Sequence, residues 1–304
     1  MSKSMSMSPN RRQLLLAAGA AVLGAGSLSR AFAAGAAPSK KVLFFTKSSG
    51  FQHSVITRKG AAPSLAERIL TEVGKEHGFE VVASKDGRLF DPDKIGEWDA
   101  FAFETTGDLT TQGEHQDGHP MSKDGKKAFL DAIAGGKGFI GMHCATVTFH
   151  SQGAEVDPYI KMIGGEFISH GRQQTAKLTV ADPDFPGAKA FGSEFSINDE
   201  WYSQKNLAND LHVIIAHETA GMVDWQYQRP NFPETWARLH DKGRVFYTSM
   251  GHREDVWENP KYQGILMGAL AWATGRVDAN VEPNIAKVTP EYATLPMPPV
   301  DKKK

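Results

Sequence analysis

Cysteine is nearly absent from this chain. The single one, Cys144, allows no intrachain disulfide, so stability has to come from a core. A hydrophobic content of 40 % can supply that core. An excess of charge is missing too: 34 Lys and Arg stand against 35 Asp and Glu, for a net charge of −1. This balance excludes the basic footprint of a nucleic-acid binder and leaves no acidic tail. The apolar run near the start is too short, and too rich in Gly and Ala, for a stable membrane anchor. No cysteine stands near its end to take a lipid. Internal repeats are absent, and so is any short-spaced metal motif of the H-E-x-x-H kind.

What is present begins with residues 1–33. Arg11-Arg12-Gln13-Leu14-Leu15-Leu16 opens a weakly apolar run that closes on Ala31-Phe32-Ala33. A basic start, a moderate apolar centre and an A-x-A end form a signal peptide, and the paired arginines suggest the twin-arginine route for folded cargo. In the plainer alternative, an ordinary secretory signal, the pair supplies positive charge only. Either way the expectation is cleavage near Ala33 and a periplasmic or secreted location.

The rest alternates between strand-like and helix-like segments. Residues 41–46, 79–83, 98–104 and 137–143 are compact apolar runs of strand length. Between them, 62–77 and 123–134 show helical spacing, and each is closed by glycine. This order predicts an α/β fold, a mostly parallel sheet with helices on both faces. Further on, 176–180, 195–197, 211–216 and 244–249 are strand-like, and 260–274 reads as a last helix. The tail 281–304 carries five prolines and is expected to lie extended over the surface or to be partly disordered.

In open α/β sheets ligands bind outside the carboxyl ends of the strands. His53 follows the first strand, Glu104 ends the third, His143 ends the fourth, and His252 follows the last. Three of the eleven histidines and one carboxylate are therefore expected along one edge. His170 follows a glycine turn, and Asp199-Glu200-Trp201-Tyr202 sets acids beside aromatics, a pairing suited to sugars. His115 and His119 fall in a polar loop and are expected in solvent, while His77, His212 and His240 look structural. His150 and His217 fit either description. Residues 113–121 look like an insertion near the site.

Lys41–Ser54, Thr105–Leu109, Gly138–His143, Ile163–His170, Asp199–Tyr202 and Gly251-His252 resemble, in order, the motifs of the ThuA-like, or trehalose-utilisation, family. The resemblance covers 41–275. It implies the three-layer, flavodoxin-like sandwich of class I glutamine amidotransferases, and a link to disaccharide breakdown through 3-keto sugars. Where those amidotransferases place their nucleophilic cysteine, this chain has His143, with Cys144 one position late. Glutamine hydrolysis through a thioester is therefore not expected.

The favoured reading is an exported enzyme that cleaves 3-keto-glycosides with help from a base. His53, His143, His252 and Glu104 are the candidate catalytic groups, and Asp108, His170, Glu200, Trp201 and Tyr202 the candidate substrate-binding ones. The three histidines, with Glu104 or Glu200, could also ligate a divalent metal ion gathered from separate strands. An alternative is a non-catalytic sugar-binding protein using Trp201, Tyr202, Trp225 and Tyr227 as stacking platforms. A third reading is a glycosidase with Glu104 and Glu200 as paired carboxylates.

Overall fold

Five apolar runs form the parallel half of one sheet. The structure, a computed structural model, describes residues 39–299. The expected signal segment 1–33 lies outside the described residues. Among the described residues no helix is long and apolar enough to cross a membrane.

In β1 (Lys40–Phe45) side chains alternate between two cores. Val42 and Phe44 enter one, Leu43 and Phe45 the other, and all four are fully buried. Helix α1 (Leu65–Glu76) then covers the first face and leads into β2 (Phe79–Ser84). Ser64 starts α1 with a capping box: its hydroxyl accepts from Glu67 N while Glu67 accepts from Ser64 N. That cap fixes the start at Leu65, three residues later than the periodicity suggests. β3 (Ala100–Phe103) follows, then α2 (Lys123–Ala134), which packs Phe129 and Ile133 into the second core. β4 (Gly138–Met142) leads to the short α3 (Pro158–Ile163) on the same face as α2.

β5 (Glu166–His170), β6 (Gln174–Val180), β7 (Glu194–Asp199), β8 (Tyr202–Lys205), β9 (His212–Glu218), β10 (Phe232–His240) and β11 (Gly243–Thr248) complete the strands. The main sheet runs β2-β1-β3-β4-β11-β10-β9-β6-β7, parallel from β2 to β11 and antiparallel beyond. The parallel part has the 2-1-3-4-5 order of doubly wound, flavodoxin-like sheets. α4 (Glu254–Trp257) and α5 (Pro260–Ala273) return over the face that α1 covers, which gives the three-layer sandwich.

Three strands differ from the sequence expectation. β10 was not anticipated because Pro233, Glu234 and Arg238 interrupt its apolar pattern. Pro233 sits where the β9 register shifts, a place that tolerates a missing N–H. β5 and β8 were missed because they are short and pair only with each other. The tail also differs, since it forms a helical turn, α6 (Ile285–Val288), with Ile285 buried. Asn284 bonds both backbone groups of Val213, beyond Ile215 where β6 stops pairing with β9. A backbone edge that would otherwise need water thus anchors the tail.

Candidate functional site

Four strand ends deliver four side chains to one point. His53 lies in the loop after β1, His143 directly after β4, Glu200 directly after β7, and His252 in the turn after β11. One ligand atom from each lies within 4.8 Å of every other. His252 Nδ1 is 3.3 Å from His143 Nε2 and 3.3 Å from Glu200 Oε2, and His143 Nε2 is 3.6 Å from that oxygen. Tetrahedral ligands on metal bonds of about 2.0–2.1 Å stand about 3.3 Å apart. The donor set, three imidazoles and a carboxylate, is of the kind a divalent transition metal takes, and His143, Glu200 and His252 have the spacing as well, with all four ligand atoms within 4.8 Å.

The protonation of His143 follows from its partner. Nδ1 lies 2.8 Å from the Ser249 carbonyl, which can only accept, so Nδ1 carries the proton and Nε2 presents a lone pair to the centre. His143 reaches this position through a left-handed backbone, φ +40°, at the turn out of β4. Tyr247 holds that turn by donating to the His143 carbonyl. Opposite, Gly251 has φ +126°, and a Cβ there would come within 2.6 Å of the Tyr262 hydroxyl, so the backbone conformation and the packing on Tyr262 both call for glycine. His53 is buried, with its Nε2 3.3 Å from the Tyr202 hydroxyl and its Nδ1 without a hydrogen-bond partner. The Tyr202 ring lies against His143, centroids 4.2 Å apart, and floors the site.

Glu200 is placed by its neighbours. Asp199 ends β7, accepting from Glu200 N through one oxygen and from Gly251 N through the other. One carboxylate thus ties the Glu200 turn to the His252 turn. Trp201 then enters the core, donates to the Gln174 carbonyl and packs on His217. The β5–β8 ladder pairs His170 with Tyr202, leaving His170 Nδ1 3.3 Å from Glu200 Oε1 and 2.9 Å from the Gly171 carbonyl.

Charge at the centre is shared unevenly. Burial, with His143 and His252 close by, pushes His53 down to about 2, so it is neutral. Burial works against ionised Glu200, but its contacts with His143 and His252 prevail and hold it below the ordinary carboxylate range. For His252 burial again opposes the charge, and the Glu200 hydrogen bond and charge, with Asp199 and Glu254, raise it. An ionised Glu200 beside a neutral His53 suits a cation at the centre, either a proton or a metal ion.

Several candidates are placed differently from the sequence expectation. Glu104 is fully buried, neither of its oxygens makes a well-formed hydrogen bond, and burial followed by the charge of Asp199 raises it well above the ordinary carboxylate range against the pull of Trp257. It is not one of the four converging groups. Asp108 is exposed and caps its own turn at Thr110. Trp201 and Tyr227 are core residues, the Tyr227 hydroxyl donating to the Trp201 carbonyl, so neither offers a stacking face. Trp225 is half-buried. Cys144 is buried and its thiol pushed well up by burial, which removes it as a nucleophile.

The remaining histidines divide clearly. His150 pairs with buried Glu166, His212 bridges Asp182 and the Glu282 carbonyl, and His217 is buried with its Nε2 beside the Met222 sulfur. His77 caps α1, and His240 ends β10 half-buried. His115 and His119 are in the 113–121 loop, His115 bonding the Gly50 carbonyl. That loop is tied down: buried Lys47 donates to the carbonyls of Gln112 and Gly118, and Lys85 pairs with Asp117 at 3.0 Å. Sequence reasoning gave no role to Glu234, which supports the Ser249 turn from inside β10.

Residues 41–273 match the profile of the ThuA family, described as trehalose utilisation. A ThuA-like protein from Parabacteroides merdae superposes with a TM-score of 0.60 at 16 % identity, over 86 % of this chain and 97 % of its own. One from Bacteroides uniformis gives 0.56 at 18 % identity, over 79 % and 93 %. Likeness at these identities concerns the fold. No curated protein sequence matches the chain.

Proposed function

Because the chain belongs to the ThuA family, we propose that it cleaves 3-keto-glycosides at the His53–His143–Glu200–His252 centre, after export. The observation that carries the reading is the convergence of three imidazoles and one carboxylate at ligand-like separations. A divalent cation held by these four would supply Lewis-acid stabilisation of negative charge developing on the sugar's 3-keto oxygen. The protein's own groups handle protons. His170 donates Nδ1–H to the Gly171 carbonyl, so its Nε2 is free to accept the C2 proton, and Glu200 steadies the resulting imidazolium. The C2–H electron pair passes into the C2–C3 enolate, which collapses to a C1=C2 bond as the C1–O bond breaks, and the leaving oxygen takes the proton back from the His170 imidazolium. Water then adds at C1 and a proton returns to C2, which restores the 3-keto sugar.

Two observations favour this over the alternatives. Trp201 and Tyr227 are withdrawn into the core, which weakens the stacking-platform reading of a binding protein. Burial of Glu104 removes one of the two carboxylates that a glycosidase would use. The test is incubation of the purified protein with 3-keto-trehalose, with and without chelator. Release of free sugar, lost with chelator and in His143→Ala, is expected. Saturable binding without turnover would replace catalysis by capture.

A further inference from the structure

His53 is buried, but the ring two residues before it is not. Phe51 is 70 % exposed and sits edge to face with His53, centroids 5.0 Å apart. The backbone beneath it is fixed, because Thr106 donates to the Phe51 carbonyl and Gln52 donates to Asp117 of the pinned loop. An exposed aromatic ring on a fixed backbone, held edge to face against His53, is a platform beside a polar centre.

From Phe51 a groove of about 830 Å³ runs away from the histidines toward α4. Its apolar side includes Phe51, Pro63 and Leu65, and its polar side includes Ser54, Glu254 and Glu258. Phe51 lines the groove and its ring touches buried His53, so the groove begins beside the centre. Glu254 accepts from the Ser54 hydroxyl at 2.6 Å, and Glu258 lies one helical turn further along. An apolar face opposite carboxylates and a hydroxyl suits a pyranose ring, whose CH face stacks on an arene while its hydroxyls donate to acids. Lys59 also lines the groove, so two carboxylates and one ammonium nearly balance, and no single sign of charge dominates; this suits a neutral ligand.

We propose that this groove is the subsite for the second ring of a neutral disaccharide, with Phe51 as its stacking face. This rests on the sugar reading above. The test is binding of the unreacted probes trehalose and glucose, followed by saturation-transfer NMR titration, to the full chain, Phe51→Ala, Phe51→Tyr and His143→Ala. Trehalose is expected to bind more tightly than glucose. Phe51→Ala should weaken trehalose by up to about tenfold and leave glucose unchanged. Phe51→Tyr and His143→Ala should keep the preference. Trehalose binding that is absent, or indifferent to Phe51→Ala, or weakened only in step with glucose, overturns the subsite. A Phe51-dependent preference in a protein that fails to cleave 3-keto-trehalose upholds the subsite and removes the cleavage reading instead.

Discussion

Glu234 and Glu104 are both fully buried carboxyls, yet their surroundings are opposite. Glu234 accepts from Thr248, Ser249 and Met250 N through one oxygen and from Thr235 through the other. Burial still raises it, to about 6. Its partners shape the turn whose Ser249 carbonyl fixes the His143 tautomer, so it acts on the centre from a distance. Glu234→Ala should cost about 3 kcal/mol in urea unfolding, and calorimetric titration with Zn²⁺ should show affinity about 10–100-fold weaker. Unchanged affinity would reduce Glu234 to a structural role. Glu104 has no such partners. Its folded form keeps a proton that the unfolded chain releases near 4.5, so the folded state binds more protons above that pH and stability falls as pH rises. Glu104→Gln removes this loss. The variant should gain on the parent between pH 5 and pH 8 in urea midpoints while sugar release stays intact. A stability difference that does not change with pH would contradict a buried neutral acid. His53, His143 and His252 were legible in the sequence because each follows a strand-like run. Glu234 and the Ser249 carbonyl were not, because they act through contacts between strands distant in sequence, and Asp199 was legible only as an acid beside aromatics. Trp201 was misread because sequence cannot say which way a ring turns at a strand end.

At the scale of elements, the start of α1 is also the support of β1. Glu67 closes the capping box with Ser64, accepts from Thr46 just past β1 at 2.6 Å, and pairs with Arg58 at 2.8 Å. Burial opposes its charge, but Arg58, Thr46 and Ser64 prevail and hold it below its ordinary value. A lowered carboxyl stabilises the fold above its unfolded value, and that contribution is lost as pH falls through the folded one. Glu67→Gln should therefore cost about 1–3 kcal/mol at pH 7, and the gap to the parent should close as the pH is lowered below 4.5. Guanidinium unfolding at neutral and acid pH checks both statements, and a gap that widens in acid would refute the assignment. Helices such as α2 and α5 were legible because Ser122 and Asn259 cap them and their apolar spacing is regular. The β5–β8 pair was not, although it sets His170 beside Glu200. Its strands are stabilised by each other and by the walls around them rather than by a pattern of their own.

At the scale of the molecule, the four converging groups come from both halves of the sheet. His53 and His143 hang from the parallel strands β1 and β4, Glu200 from the antiparallel edge strand β7, and His252 from β11, where the two halves meet. An ion held by all four would cross-link segments separated by up to 199 residues in the chain. Such an ion binds the folded state alone, because the unfolded chain does not gather these side chains. It must then raise stability by mass action, about 4 kcal/mol at a thousandfold excess over its dissociation constant. For a chain of this length each kcal/mol moves Tm by about 2–4 °C. Thermal unfolding of chelator-stripped protein should therefore shift upward by about 10 °C with saturating Zn²⁺ or Mn²⁺. His143→Ala and Glu200→Gln should lose most of that shift, since each removes one donor, whereas Glu104→Gln should keep it. If all three variants respond like the parent, the ion binds elsewhere and the centre holds only a proton. If Glu104→Gln alone loses the shift, the buried acid is a ligand and the four-group assignment is wrong.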